Sequence, residues 1–139
     1  MERSTTDVLV LGGGVAGLRA ALAAAQKGVR VTVASRGPCA RSGSSAVASA
    51  GMAGVLSDPH PEDSPDRFAA DLLVSGQGLA DETLVRVVAA EAGRYIEELP
   101  QYGVTFVSKD GTWDRVRGPG HSLPRTYRVR SDRSGAQGL

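Results

Sequence analysis

The chain of 139 residues has one cysteine, Cys39, so no disulfide can close within it. A single thiol also excludes a zinc knuckle or an iron–sulfur cluster held by this chain's own cysteines, and no metal site is expected. Aromatic residues are scarce, at 4%. They do not alternate with arginines as a base-stacking surface requires. The formal charge is +1, which gives no overall pull toward nucleic acid or an anionic membrane. No uninterrupted apolar run approaches the length of a membrane span. The apolar stretch from Val8 to Leu18 is interrupted by three glycines and flanked by Glu2, Asp7 and Arg3, so it is read as a strand and a turn, not an export signal. These absences leave a cytoplasmic, globular domain that binds no nucleic acid. Its hydrophobic content of 41% and charged content of 22% suit one.

What is present is unevenly spread. From Asp58 to Glu98 stand ten acids against three arginines, and from Lys109 to Arg133 seven bases against three acids. The basic stretch suits either a nucleic-acid face or an anion-binding site beside a cofactor. The scarcity of aromatics disfavours the first.

Asp7–Leu11 is a short branched apolar run, as expected of a buried parallel strand. Three glycines stop it. Val15–Lys27 is rich in Ala and Leu and reads as a helix closed by Gly28. Val29–Ser35 alternates Val with other residues and reads as a second strand, which completes a βαβ unit with a parallel sheet. Arg36–Gly54 is dominated by Gly, Ser and Ala. Because structured segments bracket it, a loop wrapped closely around a ligand is expected rather than a solvated linker. Pro59–Pro65 reads as a turn that includes His60, and Asp66–Ser75 as a helix with Phe68, Leu72 and Leu73 on one side. Asp81 can cap a further helix reaching about Leu99, with Leu84, Val88, Ala92, Tyr95 and Leu99 as its core-facing stripe. Tyr102–Val107 is expected to be a strand. Cys39, with no partner nearby in sequence, reads as a minor packing residue.

Gly12-Gly13-Gly14-Val15-Ala16-Gly17 satisfies the G-x-G-x-x-G pattern between a predicted strand and a predicted helix. Gly12 permits the tight turn, Gly14 a close approach to a pyrophosphate, and Gly17 close packing of helix on strand. The helix start offers N–H groups and partial positive charge to phosphates. The end of the second strand, where many such units place a carboxylate to grip a ribose, carries Ser35-Arg36. The serine can bond a ribose, and the arginine can bond ribose, adenine or the extra phosphate of NADP. These residues alone leave FAD and NADP both open.

The chain resembles the flavoproteins of the succinate dehydrogenase, fumarate reductase and L-aspartate oxidase family. The resemblance rests on three segments. The first is the fingerprint from Asp7 to Leu18. The second is Ala34-Ser35-Arg36-Gly37-Pro38, continuing with Arg41-Ser42-Gly43-Ser44-Ser45 and Ala50-Gly51-Met52-Ala53. The third is Gly120-His121-Ser122-Leu123-Pro124-Arg125, followed by Ser131-Asp132-Arg133-Ser134-Gly135. Family members show a Ser-Lys or Thr-Lys pair where Ser35-Arg36 stands, a small-residue loop, a G-G-H-S or G-G-Q-S segment and an A-D-x-T-G turn.

The resemblance implies an α/β, Rossmann-like FAD-binding fold with a βαβ start and an incomplete sheet. Residues 1–36 would form the dinucleotide unit, 37–57 the flavin-binding loop, and 58–139 a helical segment with a His/Arg loop. Gly13, Gly14, Val15 and Ala16 would meet the pyrophosphate within a cofactor-binding turn from Gly12 to Gly17. Arg36, beside Ser35, would meet the adenosine half, and the loop from Ser44 to Gly51, with Ser45 and Ala50, the flavin. Ser44 stands where membrane-bound succinate dehydrogenases carry a histidine that attaches FAD covalently, so non-covalent FAD is implied. His121 and Arg125 are the candidate catalytic residues. Aspartate oxidases carry a glutamate before the G-G-H-S segment, and Gly118 stands there in this chain. That departure favours succinate/fumarate chemistry on a dicarboxylate over aspartate oxidation. The implied partners are the remainder of the flavoprotein and an iron–sulfur subunit, with peripheral attachment to the inner membrane through such partners. The alternatives are an L-aspartate oxidase-type or other FAD-dependent oxidoreductase, and a non-catalytic FAD-binding module or half of a split flavoprotein.

Overall fold

The computed structural model of the chain describes residues 4–41, 43–48, 51–58 and 60–130. Ala50 and residues 131–135 of the third segment lie outside the described residues, as do Ser42 and Pro59. The described residues fall into two compact units, one reaching to Ala48 and one running from Gly51 to Arg130.

The first unit is the expected βαβ. Strand β1 (Val8–Leu11) leads into helix α1 (Val15–Ala25) and strand β2 (Val31–Ala34). The strands pair in parallel, Val8 opposite Val31 through Leu11 opposite Ala34. The chain leaves α1 through a turn in which Gly28 adopts φ +78°. The small-residue loop is not featureless, because a short helix α2 (Ser44–Val47) interrupts it.

The second unit opens with strand β3 (Met52–Ala53) and holds two long helices, α3 (Pro65–Ser75) and α4 (Glu82–Glu98). Ser64 caps α3, its hydroxyl accepting from the Arg67 N–H at 3.2 Å, and Pro65 occupies the first turn, where a missing N–H costs nothing. Pro65 therefore starts the helix rather than closing the preceding turn. Asp81 caps α4 as expected, accepting from the Leu84 N–H at 3.0 Å.

The buried face of α4 differs from the stripe read in the sequence. Leu84 is 65% and Val88 52% exposed, and Tyr95 is exposed as well. The buried line is Ala89, Gly93 and Ile96, flanked by Val85 and Ala92. It lies one residue further along, a rotation of about 100° on an α-helix. The cause is close packing: a Cβ on Gly93 would stand 1.7 Å from the Val55 carbonyl oxygen, so this face of α4 touches backbone directly. Small residues face the core here, and bulkier ones are left outside.

After a 3₁₀ turn at Leu99–Tyr102, short strands follow: β4 (Ser108–Lys109), β5 (Thr112–Trp113), β6 (Arg115–Val116) and β7 (Thr126–Tyr127). The strand expected over Tyr102–Val107 is reduced to a single bridge from Phe106 to Val129, because the 3₁₀ turn takes its first residue and the left-handed Gly103 follows. β4 and β5 form a two-residue hairpin whose Asp110 and Gly111 both have positive φ, +53° and +81°, the geometry of a type I′ turn. β7 lies between β3 and β6, antiparallel to both.

Two apolar clusters support this unit. Phe68, Ala69 and Ala89 form one, with Leu72, Val85, Ala92, Ala53 and Val55 around them. Ile96, Phe106 and Tyr127 form the other, with Trp113 4.5 Å from Phe106 by ring centroids.

Candidate functional site: a dinucleotide turn and a buried arginine cluster

The fingerprint folds as its spacing requires. Gly12, at φ +116°, turns the chain out of β1, and its N–H donates to the Ala34 carbonyl at 2.8 Å, tying the turn to β2. A Cβ on Gly17 would stand 2.1 Å from the Gly12 carbonyl oxygen, so only glycine lets α1 start this close to the strand. Gly14 is the N-cap of α1 and supplies no side chain to satisfy the first-turn N–H groups. The Val15 N–H donates to the Ser45 hydroxyl at 3.2 Å, which fixes α2 over the start of α1. A Cβ on Gly13 would meet Cys39 Sγ at 2.8 Å and Ser35 Oγ at 3.0 Å, and the Ala40 N–H donates to the Gly13 carbonyl at 2.8 Å. The loop after β2 is therefore folded onto the glycine turn, while Ser35, Arg36 and Ser44 remain exposed. No acidic side chain lies in the first turn of α1 to compete with a bound phosphate. This turn fits a dinucleotide pyrophosphate.

The second unit brings together the two candidate catalytic residues, but not in the open loop that their sequence context suggests. The Arg125 side chain is 1% exposed. Its Nε and Nη2 donate to the two oxygens of Asp63 at 2.9 and 2.7 Å, a bidentate pair, and its Nη1 donates to Asp71. The guanidinium also lies over the Phe68 ring, 5.0 Å from its centroid. Asp71 accepts in addition from the Ser122 N–H at 2.7 Å and the Ser122 hydroxyl at 2.9 Å. His121 stacks on Phe68 with centroids 5.5 Å apart, and its Nδ1 lies 3.3 Å from Arg125 Nη1. Arg125 is thus turned to two carboxylates of its own chain rather than to open space.

Asp63 and Asp71 are not among the residues singled out in the sequence, and Ser122 stands there only as part of the Gly120–Arg125 segment. The signal that points to them is the charge segregation, since acids between Asp58 and Glu98 pair with arginines beyond Lys109. Arg115 also reaches back to this stretch, donating to the Asp58 backbone carbonyl at 3.2 Å.

Burial raises the Asp71 carboxyl, but the hydrogen bonds from Arg125 and Ser122 outweigh it and hold the group below its ordinary value. His121 is pushed below its ordinary value by burial first and by the Arg125 charge second, with Asp71 and Asp63 partly offsetting both. In each case the unfolded chain takes up the proton first, so stability is lost as pH falls. The loss attached to His121 begins below its free value of 6.5. The loss attached to Asp71 begins below 3.8 and continues through its lower folded value. Urea midpoints measured against pH should fall in two stages, with the first stage reduced in His121→Gln. Identical profiles for the two proteins would contradict this assignment.

Among the described residues no helix is long and apolar enough to cross a membrane, and no group of three His, Cys, Asp or Glu side chains is placed to hold a metal ion.

Residues 7–138 match the FAD binding domain family. The L-aspartate oxidase of Mycobacterium tuberculosis is 38% identical over 136 residues, which are 97% of this chain and 25% of that enzyme. One component of the fumarate reductase (CoM/CoB) of Methanothermobacter marburgensis is 32% identical over 130 residues, 93% of this chain and 24% of its own length. Among solved structures, Mycobacterium smegmatis Sdh1 in complex with UQ1 superposes with a TM-score of 0.85 at 32% identity, over 93% of this chain and 22% of that one. The chain thus spans about a quarter of the length of these relatives. A pyrophosphate-fitted βαβ turn, matched from Asp7 onward, places this chain in the FAD-binding domain family of the succinate dehydrogenase, fumarate reductase and L-aspartate oxidase flavoproteins.

Proposed function

We propose that this chain carries the nucleotide-binding part of an FAD-dependent oxidoreductase that interconverts a saturated and an unsaturated dicarboxylate of the succinate/fumarate type. The observation that carries the choice of substrate class is Gly118. A Cβ there would stand 2.9 Å from Thr126 Oγ1 and 3.4 Å from His121 Cδ2. A glutamate, which aspartate oxidation would call for at this position, would have to turn the Thr126 hydroxyl aside and would lie against the His121 ring. The second reading, aspartate oxidation, is favoured by the 38% identity to the mycobacterial enzyme.

Bound FAD would supply the two-electron redox chemistry. The residues of this chain would bind and orient it. Gly12, whose own N–H is held by the Ala34 carbonyl, would set the turn, and N–H groups between Gly13 and Gly17 would receive the pyrophosphate at the positive end of α1. Ser35 and Arg36 would meet the adenosine half, and Ser44 and Ser45 the flavin side, with Ala50 and Gly51 assigned to the flavin on the family resemblance alone. His121 would offer a hydrogen bond to a ligand oxygen, with Arg125 behind it. An iron–sulfur partner would take the electrons on, and the cytoplasm is the compartment this reading assigns. With no histidine from Gly37 to Ala48, attachment of FAD is proposed to be non-covalent.

Two measurements on the full-length protein test this. Acid precipitation should leave the yellow flavin in the supernatant, and colour retained in the pellet would refute non-covalent attachment. Anaerobic addition of succinate should bleach the flavin and fumarate should restore it. Bleaching by L-aspartate but not by succinate would transfer the assignment to aspartate oxidation.

A further inference from the structure

Four of the five N–H groups of Arg125 are placed in a way that determines the state of His121. Nε and Nη2 each give one hydrogen to Asp63, and Nη1 gives one to Asp71. The second Nη1 hydrogen faces His121 Nδ1 at 3.3 Å. A guanidinium has donors and no acceptor, so the contact is a hydrogen bond only if Nδ1 presents its lone pair. The ring proton must then sit on Nε2. Turning the ring over would set a C–H against the guanidinium and forfeit the bond. Protonating Nδ1 would set two N–H groups against each other in a pocket where Arg125 cannot retreat, since its other edge is held by the bidentate Asp63 pair. Phe68 supports both groups, lying under the His121 ring and under the guanidinium. The backbone holds the ring from the other end, the His121 N–H donating to the Gly118 carbonyl at 3.2 Å and the Ser122 N–H to Asp71.

We propose that Asp63, Arg125 and Asp71 form a positioning device that holds His121 as the neutral Nε2–H tautomer, making it a fixed, uncharged hydrogen-bond donor to a ligand oxygen rather than a carrier of protons. Arg125 and the two aspartates are the positioning residues, and His121 Nε2 is the group presented. The charged groups acting on the ring are Arg125, which disfavours its cation, and Asp71 and Asp63, which favour it. Burial and the arginine prevail, in agreement with the hydrogen-bond geometry. The tautomer is a property of the chain itself. Its use toward a flavin or substrate oxygen rests on the FAD-dependent reading above.

Imidazole ¹⁵N spectroscopy of the full-length protein tests the device without reference to turnover. At pH 7 the His121 Nδ1 resonance should be that of an unprotonated, hydrogen-bond-accepting nitrogen, and Nε2 that of a protonated one. On acidification His121 should titrate below the ordinary imidazole range. A proton on Nδ1 at pH 7, or a His121 cation at that pH, would overturn the proposal. In Arg125→Lys, with its fold checked by circular dichroism, the single tautomer should give way to a mixture and the His121 midpoint should move upward. An unchanged tautomer and midpoint in a folded Arg125→Lys protein would show that Arg125 does not set them. If that variant does not fold, the unsubstituted spectrum still decides the tautomer. Flavin occupancy read on the same samples separates the two levels: a wrong tautomer with flavin bound fails the device alone, and absent flavin with the expected tautomer fails the cofactor reading alone.

Discussion

Arg125→Met is expected to destabilise the chain by about 3–5 kcal/mol, the usual cost of removing one partner from a buried ion pair. The Asp63 side chain is 2% exposed and would keep its carboxylate with no guanidinium to answer it. Asp71 would lose its strongest donor and retain only Ser122. Arg128→Met provides the comparison. Its pair with Asp114 is half open to solvent, and surface pairs contribute roughly 0–1 kcal/mol. Equilibrium urea unfolding of both variants distinguishes the two cases, and equal losses would mean that the Arg125 cluster is no stronger than a surface contact. Adding Asp63→Leu to Arg125→Met should recover part of the loss, because much of the penalty belongs to the abandoned charge rather than to the missing bond.

Gly14→Asp should weaken FAD binding at least tenfold, or about 1.4 kcal/mol. A side chain at Gly14 would begin 3.2 Å from Ser45 Oγ and displace the hydroxyl that receives the Val15 N–H. Its carboxylate would also occupy the positive end of α1 and repel the pyrophosphate. The fold should survive, since aspartate is a favoured N-cap residue and Gly14 has an extended backbone, φ −82° and ψ 178°. Cys39→Ser, in the loop folded onto the same turn, should leave occupancy nearly unchanged. Flavin absorbance per polypeptide measures both. Equal loss in the two variants, or full occupancy in Gly14→Asp, would reduce the fingerprint to a structural turn.

The parts of this molecule that local chemistry determines could be read from the sequence. The glycine turn, its flanking strands and the Asp81 cap each depend on residues within a few positions of one another, and they stand where expected. The α4 stripe could not be placed by hydrophobicity, because Gly93 and Ala89 face the core for their small size. The hairpin at Ser108–Trp113 carried a legible signal in Asp110-Gly111, but its strands are two residues long and show no alternation. The arginine cluster was beyond local reading altogether. Its ion pairs join positions 62 and 54 apart in sequence, and only the segregation of acids from bases hinted at them.

Among residues 4–48 none of those described is buried, and Leu11 is 79% exposed. The β1–β2 ladder is four residues long. Whatever binds the folded turn and not the unfolded chain stabilises it by mass action, so hydrogen-exchange protection of the β1–α1–β2 amides should rise with the logarithm of free FAD over its dissociation constant. The cofactor is in that sense a structural member of the amino-terminal unit as well as a redox group.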